Sequence, residues 1–118
     1  MSAVFVSPNL MFASRVSGAA GTLKIPLQVL SSAADVAGKV SAATGLVIID
    51  LSQSGLDLPK LVGEIRATAP AGRIIAFGPH VNEAELAAAR AAGCDEVMPN
   101  SQFDRTYVEL LRKWGAAP

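Results

Sequence analysis

One stretch of the sequence, from Gly45 to Gly55, constrains the fold more than any other. It places the apolar run Leu46–Ile49 directly before Asp50 and then ends in small polar residues and a glycine. An unbroken apolar run that is rich in β-branched side chains predicts a strand covered on both faces, as in the centre of a parallel sheet. Asp50 is then expected at the carboxyl end of this strand, which is the edge where open α/β sheets bind ligands.

Four further segments have the composition of strands. They are Ala3–Val6, Leu23–Leu30, Arg73–Gly78 and Cys94–Pro99. Pro26 lies within the second of these segments. Because proline has no N–H to donate to a neighbouring strand, we expect this strand at an edge of the sheet.

Segments with apolar residues at helical spacing follow each of the five strands. We expect helices over Leu10–Ala20, Ala33–Ala43, Leu58–Ala69, Glu83–Ala92 and Phe103–Trp114. Residues that favour helix N-termini precede four of them, and these are Asn9, Ser31 or Ser32, Asp57 and Asn82. In the second helix, Val36, Ala37 and Val40 are expected to face inward.

This alternation predicts an α/β fold that forms a single domain over residues 1–118. The flavodoxin-like arrangement fits it best, with a doubly wound, five-stranded parallel sheet in the order 2-1-3-4-5 and helices on both faces. The motifs that bind dinucleotides or nucleoside triphosphates and the nucleophile motif of α/β hydrolases are absent from the sequence.

The composition excludes several classes of function. Ten basic and ten acidic residues give a net charge of 0, so no overall field attracts nucleic acid or an anionic membrane, and a neutral protein can form a homodimer. Cys94 is the only cysteine, which excludes an internal disulfide framework and a multi-cysteine metal site. We expect a buried, inert thiol, a cytoplasmic protein and no membrane span, since no apolar run reaches about 18 residues.

Four features of the sequence occur together. They are the chain length, the five strand-helix units, Asp50 at the end of the third strand and the segment Ala88–Cys94 (Ala-Ala-Arg-Ala-Ala-Gly-Cys). Over essentially its whole length the chain resembles a response-regulator receiver domain. Receivers accept a phosphoryl group on the aspartate that ends the third strand. The resemblance therefore implies a signalling role and gives Asp50 the phosphoacceptor position.

The other residues that receivers use are replaced in this sequence. An acidic pair that holds Mg²⁺ after the first strand corresponds to Ser7–Asn9 (Ser-Pro-Asn), and a Thr or Ser at the end of the fourth strand corresponds to Gly78. The lysine after the fifth strand falls at Asn100 if counted from the preceding glycine, or at Met98 if counted from the proline. Because phosphoryl transfer depends on positioning and charge stabilisation, the resemblance implies a degenerate pseudo-receiver that binds no metal or cofactor.

Several polar residues are expected near Asp50 at the carboxyl edge of the sheet. Candidates for a ligand-binding crevice are Ser7, Asn9, Asp50, Ser52, Gly78 and His80. Asp50 itself is either a phosphoacceptor or ligand contact, or a side chain that hydrogen-bonds the amides of Ser52–Ser54, and we favour the second interpretation. His80 is either a pH-sensitive or ligand-contacting group or a solvated turn residue.

The sequence thus predicts a non-enzymatic regulatory module that acts through protein contacts. Two alternatives remain open, a phosphoacceptor that uses Asp50 with non-standard ligands and a sensor of small molecules at the crevice. The resemblance implies contacts or a homodimer through the fourth helix, fifth strand and fifth helix, within Glu83–Trp114. Tyr107 and Trp114 are the aromatic residues best suited to anchor such a contact.

Overall fold

The five predicted strands form one parallel sheet in the order β2-β1-β3-β4-β5. In the computed structural model, which describes residues 2–115, the strands are β1 (Ser2–Val6), β2 (Leu27–Leu30), β3 (Thr44–Asp50), β4 (Arg73–Gly78) and β5 (Glu96–Pro99). All seven residues of β3 are buried in the centre of the sheet. The predicted strand order and the central position of this apolar strand are therefore confirmed.

Helices cover both faces of the sheet, as predicted. Within residues 2–115 the α-helices are α1 (Leu10–Leu23), α2 (Leu58–Thr68), α3 (Glu83–Ala91) and α4 (Asn100–Leu110), and α4 continues into a π-helical turn, Leu111–Gly115. Successive strand residues point to opposite faces. Val47 and Ile49 therefore pack with α2 and α3, whereas Ile48 packs with α1 and α4. None of the helices in this described part of the chain is long and apolar enough to cross a lipid bilayer.

The prediction of a second helix over Ala33–Ala43 is wrong. The structure has a single 3₁₀ turn at Ala33–Asp35, followed by further turns. Val36 and Val40 are buried as predicted, but Ala37 is exposed. Two valines one turn apart form only a narrow apolar stripe, and the glycine between them lowers the helix propensity. The apolar burial is therefore too small to offset the cost of forming a helix.

The boundary between α1 and β2 also differs from the prediction. Helix α1 extends beyond Ala20 to Leu23 and ends at Lys24, which has a left-handed backbone with φ of 59°. Strand β2 therefore begins only at Leu27, and Pro26 precedes the strand instead of lying inside it. The predicted edge position of this strand is confirmed.

Two boundaries in the last strand-helix unit were misplaced. Strand β5 begins at Glu96 instead of Cys94, and α4 begins at Asn100 instead of Phe103. The chain passes from the extended backbone of Pro99 directly into the helix, so no loop separates the two elements.

The predicted helix caps have different outcomes. The Asn9 side chain accepts hydrogen bonds from two amides of the first turn of α1, at 2.9 and 3.2 Å. The Asp57 side chain accepts one from the Lys60 amide at 3.2 Å. Asn82 occupies the predicted N-cap position of α3, but its side chain accepts no hydrogen bond from the amides of the first helical turn.

Aromatic side chains fix α1 and α4 against the sheet. The rings of Phe77 on β4 and Phe103 on α4 are stacked with centroids 4.0 Å apart, and Phe5 on β1 stacks 6.0 Å from each of them. Phe12 of α1 meets the Phe77 ring edge-on at 5.2 Å. This cluster holds the start of both helices near the carboxyl ends of β1 and β4.

Charged side chains form a network of contacts at the opposite edge of the sheet. Arg66 of α2 contacts Asp95 at 2.8 Å and the Gly72 carbonyl at 2.8 Å, and Asp95 also accepts a hydrogen bond from the Ile74 amide at 2.8 Å. Burial opposes ionisation of the Asp95 carboxyl. The Ile74 amide and the Arg66 guanidinium outweigh this effect, so the pKa of Asp95 is lowered.

We expect Asp95→Asn to lower the free energy of unfolding at pH 7. Because the pKa of Asp95 is lower in the folded state, its contribution is present above the unfolded pKa of about 3.9 and is lost as pH falls through the folded value. The difference between wild type and variant should therefore shrink at pH 3. Urea unfolding at both pH values measures it, with Asp35→Asn as an exposed control; a difference that stays constant with pH would contradict this assignment.

Candidate functional site

Asp50 lies between the ends of two neighbouring strands. In the sheet, Val6 of β1 pairs with Ile49, and Phe77 of β4 pairs with Asp50 itself. The residues that follow β1 and β4 are thereby brought beside its carboxylate. Asp50 is only 2% exposed to solvent.

Both carboxylate oxygens of Asp50 accept hydrogen bonds from the protein. The Ser7 hydroxyl donates to Oδ2 at 2.6 Å, and the Ser52 hydroxyl and amide donate to Oδ1 at 2.7 and 2.9 Å. The bond from the Ser52 amide is the loop contact predicted for Asp50. The bond from Ser7, across 43 positions of sequence, was not anticipated.

Ser7 and Asn9 have different roles in this arrangement. Ser7 is 3% exposed, and its hydroxyl also accepts a hydrogen bond from the Asn9 amide at 3.0 Å. Asn9 therefore supports Ser7 through its backbone, while its side chain caps α1. The Ser7 hydroxyl joins the loop after β1 to the end of β3.

Gln53 is a further residue of the site that sequence reasoning missed. Its side-chain amide donates to the Asp50 carbonyl at 2.8 Å, and its side-chain oxygen accepts from the Ala33 amide at 3.2 Å. Gln53 thus links the loop after β3 to the 3₁₀ turn after β2. A glutamine in a short polar loop gives no sequence signal of this role, since its partners depend on the path of another loop.

Gly78 leaves little room for a side chain, whereas the resemblance implies a Thr or Ser at this position. A Cβ atom built on Gly78 would lie 3.2 Å from the Cβ of Leu51. Leu51 is itself buried, at 4% exposure, and its amide is held by the Phe77 carbonyl at 2.8 Å. A side chain at position 78 would therefore require Leu51 to move.

His80 lies on the exposed turn after β4. Within residues 2–115 it makes no hydrogen bond to Ser7, Asp50 or Ser52. The six crevice candidates are therefore divided. Ser7, Asp50 and Ser52 form a hydrogen-bonded cluster, whereas Asn9, Gly78 and His80 contribute no side-chain hydrogen bond to it.

A cavity of about 360 Å³ lies beside this cluster, between the 3₁₀ turn and α2. Its lining includes Ser32, Gln53, Ser54, Lys60 and Glu64, and it includes none of the six crevice candidates. The opening thus reaches Gln53 but not the Asp50 carboxylate.

The residues around Asp50 do not fit a magnesium ion. Mg²⁺ binds hard oxygen ligands, and proteins hold it mainly through carboxylates. In the described part of the chain, no group of three or more Asp, Glu, His or Cys side chains is arranged so that it could hold a metal ion. Both Asp50 oxygens are engaged by hydroxyl and amide donors, so the arrangement satisfies the carboxylate without a cation.

The position of the receiver lysine carries no positive charge under either alignment. The Met98 side chain is 2% exposed in the core, and the Asn100 side-chain oxygen is buried with no hydrogen-bond partner among residues 2–115. Neither side chain can supply the cation that would pair with a phosphoryl group.

Tyr107 and Trp114 are both half-buried and lie in different surroundings. Tyr107 contacts Phe103 with ring centroids 5.8 Å apart and lines a depression between α1 and α4. Trp114 lies under the Arg73 guanidinium at 4.6 Å and lines a groove along β5. Each aromatic residue already has contacts within its own chain.

We expect Ser7→Ala to lower the free energy of unfolding by about 1–3 kcal/mol, because it leaves a buried carboxylate oxygen without its donor. Urea unfolding at pH 7 measures the change. Ser31→Ala, an exposed serine-to-alanine control, should stay within about 0.5 kcal/mol of wild type. Equal effects of the two variants would show that the bond to Asp50 contributes no stability.

We expect the half-buried Cys94 to react slowly with iodoacetamide in the folded protein. Burial and the neighbouring Asp95 charge raise the pKa of the thiol to about 11, so little of the reactive thiolate is present at pH 8. Alkylation followed by mass spectrometry should be slower than in the urea-unfolded chain and should keep rising with pH up to pH 9.5. Equal rates for folded and unfolded protein would contradict the raised pKa.

Solved structures of response regulators have this fold. A two-component response regulator from Clostridium difficile superposes with a TM-score of 0.74 at 14% identity, covering 96% of this chain and 97% of that one. The beryllofluoride-activated NtrC4 receiver domain dimer gives 0.73 at 13% identity, with 95% and 97% covered. A Burkholderia pseudomallei response regulator with a phosphorylated aspartic acid, a calcium ion and citrate gives 0.70 at 15% identity, with 93% and 67% covered.

These similarities concern the three-dimensional structure. No protein-family model matches the sequence, and no curated protein matches it either. The chain therefore has the flavodoxin-like fold of receiver domains, with a carboxylate at the end of β3 that is enclosed by serine donors.

Proposed function

We propose that this protein is a non-enzymatic signalling module that acts through protein contacts and is not switched by phosphorylation of Asp50. One observation carries the proposal. The Asp50 carboxylate is 2% exposed, and both of its oxygens accept short hydrogen bonds from Ser7 and Ser52. The shared fold with response regulators supports a role in signalling.

The chemistry of phosphoryl transfer opposes use of this aspartate. A carboxylate oxygen must reach phosphorus in line with the leaving group, and cations must stabilise the transferring charge. Here the Ser7 hydroxyl donates a hydrogen bond to Oδ2, and a side chain at position 78 would crowd Leu51. These contacts limit access to Asp50, and residues 2–115 contain no cluster of metal-ligating side chains beside it, so both observations oppose transfer at this site.

The alternative function is a phosphoacceptor with non-standard ligands. The position of Asp50 at the carboxyl end of β3 favours it, together with the phosphorylated aspartic acid in the regulator from B. pseudomallei, which has the same fold. In this alternative the phosphodonor competes with the Ser7 hydroxyl for Oδ2 or with the Ser52 donors for Oδ1.

We assign contacts with protein partners to the surface formed by α3, β5 and α4. Charged side chains are frequent on this surface, among them Glu83, Glu85, Arg105 and Lys113, all of them exposed. Complementary charges on a partner would give such a surface its specificity and orientation. Trp114, half-buried along β5, is the aromatic side chain placed to contribute to this contact.

We expect the amide NMR spectrum of the labelled protein to stay unchanged when Mg²⁺ and beryllofluoride are added. The Ser7 and Ser52 donors compete with the analogue for both Asp50 oxygens, and the carboxylate is only 2% exposed. A phosphorylatable receiver treated in parallel shows that the reagents are active. Intact-mass measurement after incubation with acetyl phosphate and Mg²⁺ gives a second readout, and no phosphorylated species should form.

One pattern of results would establish the alternative instead. Shifts that spread from Asp50 into β4 and β5 and disappear in Asp50→Asn would show a working phosphoacceptor. In that case Ser7→Ala should increase the response, since it frees Oδ2.

A further inference from the structure

The cavity of about 360 Å³ beside the Asp50 cluster has no part in the function proposed above, and we call it the α2 cavity. Its walls are the 3₁₀ turn at Ala33–Asp35, the loop Gln53–Asp57 and the helix α2. The turn belongs to the long connection between β2 and β3, which covers residues 31–43. Long connections are uncommon in compact domains and often carry binding sites. The volume lies near the lower limit of small-molecule sites, so the cavity fits a small ligand.

Two side chains of opposite charge line the α2 cavity from one helix. Lys60 and Glu64 are four residues apart on α2, a spacing that places them on the same side of the helix with Cβ atoms about 5–6 Å apart. Lysine on the N-terminal side of glutamate is the less favourable order for such a pair. Neither side chain forms an ion pair with the other or with any charged group among residues 2–115. A third charged residue, Asp57, caps α2 by accepting a hydrogen bond from the Lys60 amide at 3.2 Å.

Apolar side chains form another part of the lining. Leu61 of α2 is buried, at 5% exposure, and Leu56 and Ala33 are half-buried. An apolar area beside a few polar groups is typical of sites that bind small molecules, because the apolar area supplies affinity and the polar groups fix the orientation of the ligand.

We propose that the α2 cavity binds an aliphatic α-amino acid. The carboxylate and the ammonium group of such a molecule are attached to one carbon atom, so together they can contact a cation and an anion on neighbouring turns of one helix. The carboxylate of the ligand pairs with Lys60 and its ammonium group with Glu64, while its side chain contacts Leu56 and Leu61. A ligand with a single charge would leave one of the two protein charges without a partner.

This inference goes beyond the proposed function and does not depend on it. The α2 cavity reaches Gln53 but not the Asp50 carboxylate, so binding there is independent of phosphorylation. The Gln53 side chain accepts a hydrogen bond from the Ala33 amide and donates one to the Asp50 carbonyl, and it thereby joins two walls of the cavity to the end of β3. A ligand held between these walls stabilises their arrangement and gives the module an input other than phosphorylation.

Titration of the labelled protein with L-leucine, followed in amide NMR spectra, tests the proposal. Saturable shifts are expected at the amides of Ala33, Ser54 and Leu61, which line the cavity. Isocaproate and isoamylamine each keep the side chain and one charged group of leucine. Each should bind at least tenfold more weakly than L-leucine, because one protein charge then has no partner.

Two pairs of variants locate the site. Lys60→Met and Glu64→Gln should each raise the dissociation constant of L-leucine at least tenfold. Lys24→Met and Glu83→Gln make the same changes at exposed residues outside the lining of the cavity, and they should leave the dissociation constant unchanged. Circular dichroism shows whether each variant keeps the wild-type fold.

Three results would overturn the proposal. The first is the absence of saturable shifts with L-leucine, L-isoleucine and L-valine up to about 10 mM, a concentration that detects even weak binding. The second is equally tight binding of isocaproate or isoamylamine, which would show that the two protein charges do not act together. The third is a dissociation constant that Lys60→Met or Glu64→Gln leaves unchanged, which would place the ligand elsewhere.

Discussion

The burial of β3 on both faces is the constraint from which the candidate site follows. All seven residues of this strand are buried, and the last of them is an aspartate. A carboxylate in such a position costs several kcal/mol unless its oxygens are hydrogen-bonded or paired with charge. The chain meets this requirement with neutral donors, the hydroxyl of Ser7 after β1 and the hydroxyl and amide of Ser52.

A serine stands beside Asp50 where the resemblance implies an acid, and this residue determines what the edge of the sheet can do. Several carboxylates at one place repel one another and need a cation, whereas one carboxylate with hydroxyl donors needs none. Ser7 stands where the resemblance implies an acid and donates directly to Oδ2. A hydroxyl at this position supplies no carboxylate for a metal, and its hydrogen bond to Asp50 stabilises the folded chain.

The fold was predictable from the sequence because its signals are local and repeated. Apolar runs identified the strands, and Pro26 indicated the edge strand even though it precedes β2. The prediction of a helix over Ala33–Ala43 was wrong because two inward valines fit a turn as well as a helix. The site was predicted in part, since Asp50 and the Ser52 amide are close in sequence. The bonds made by Ser7 and Gln53 join distant loops, and their partners depend on the folded path of the chain.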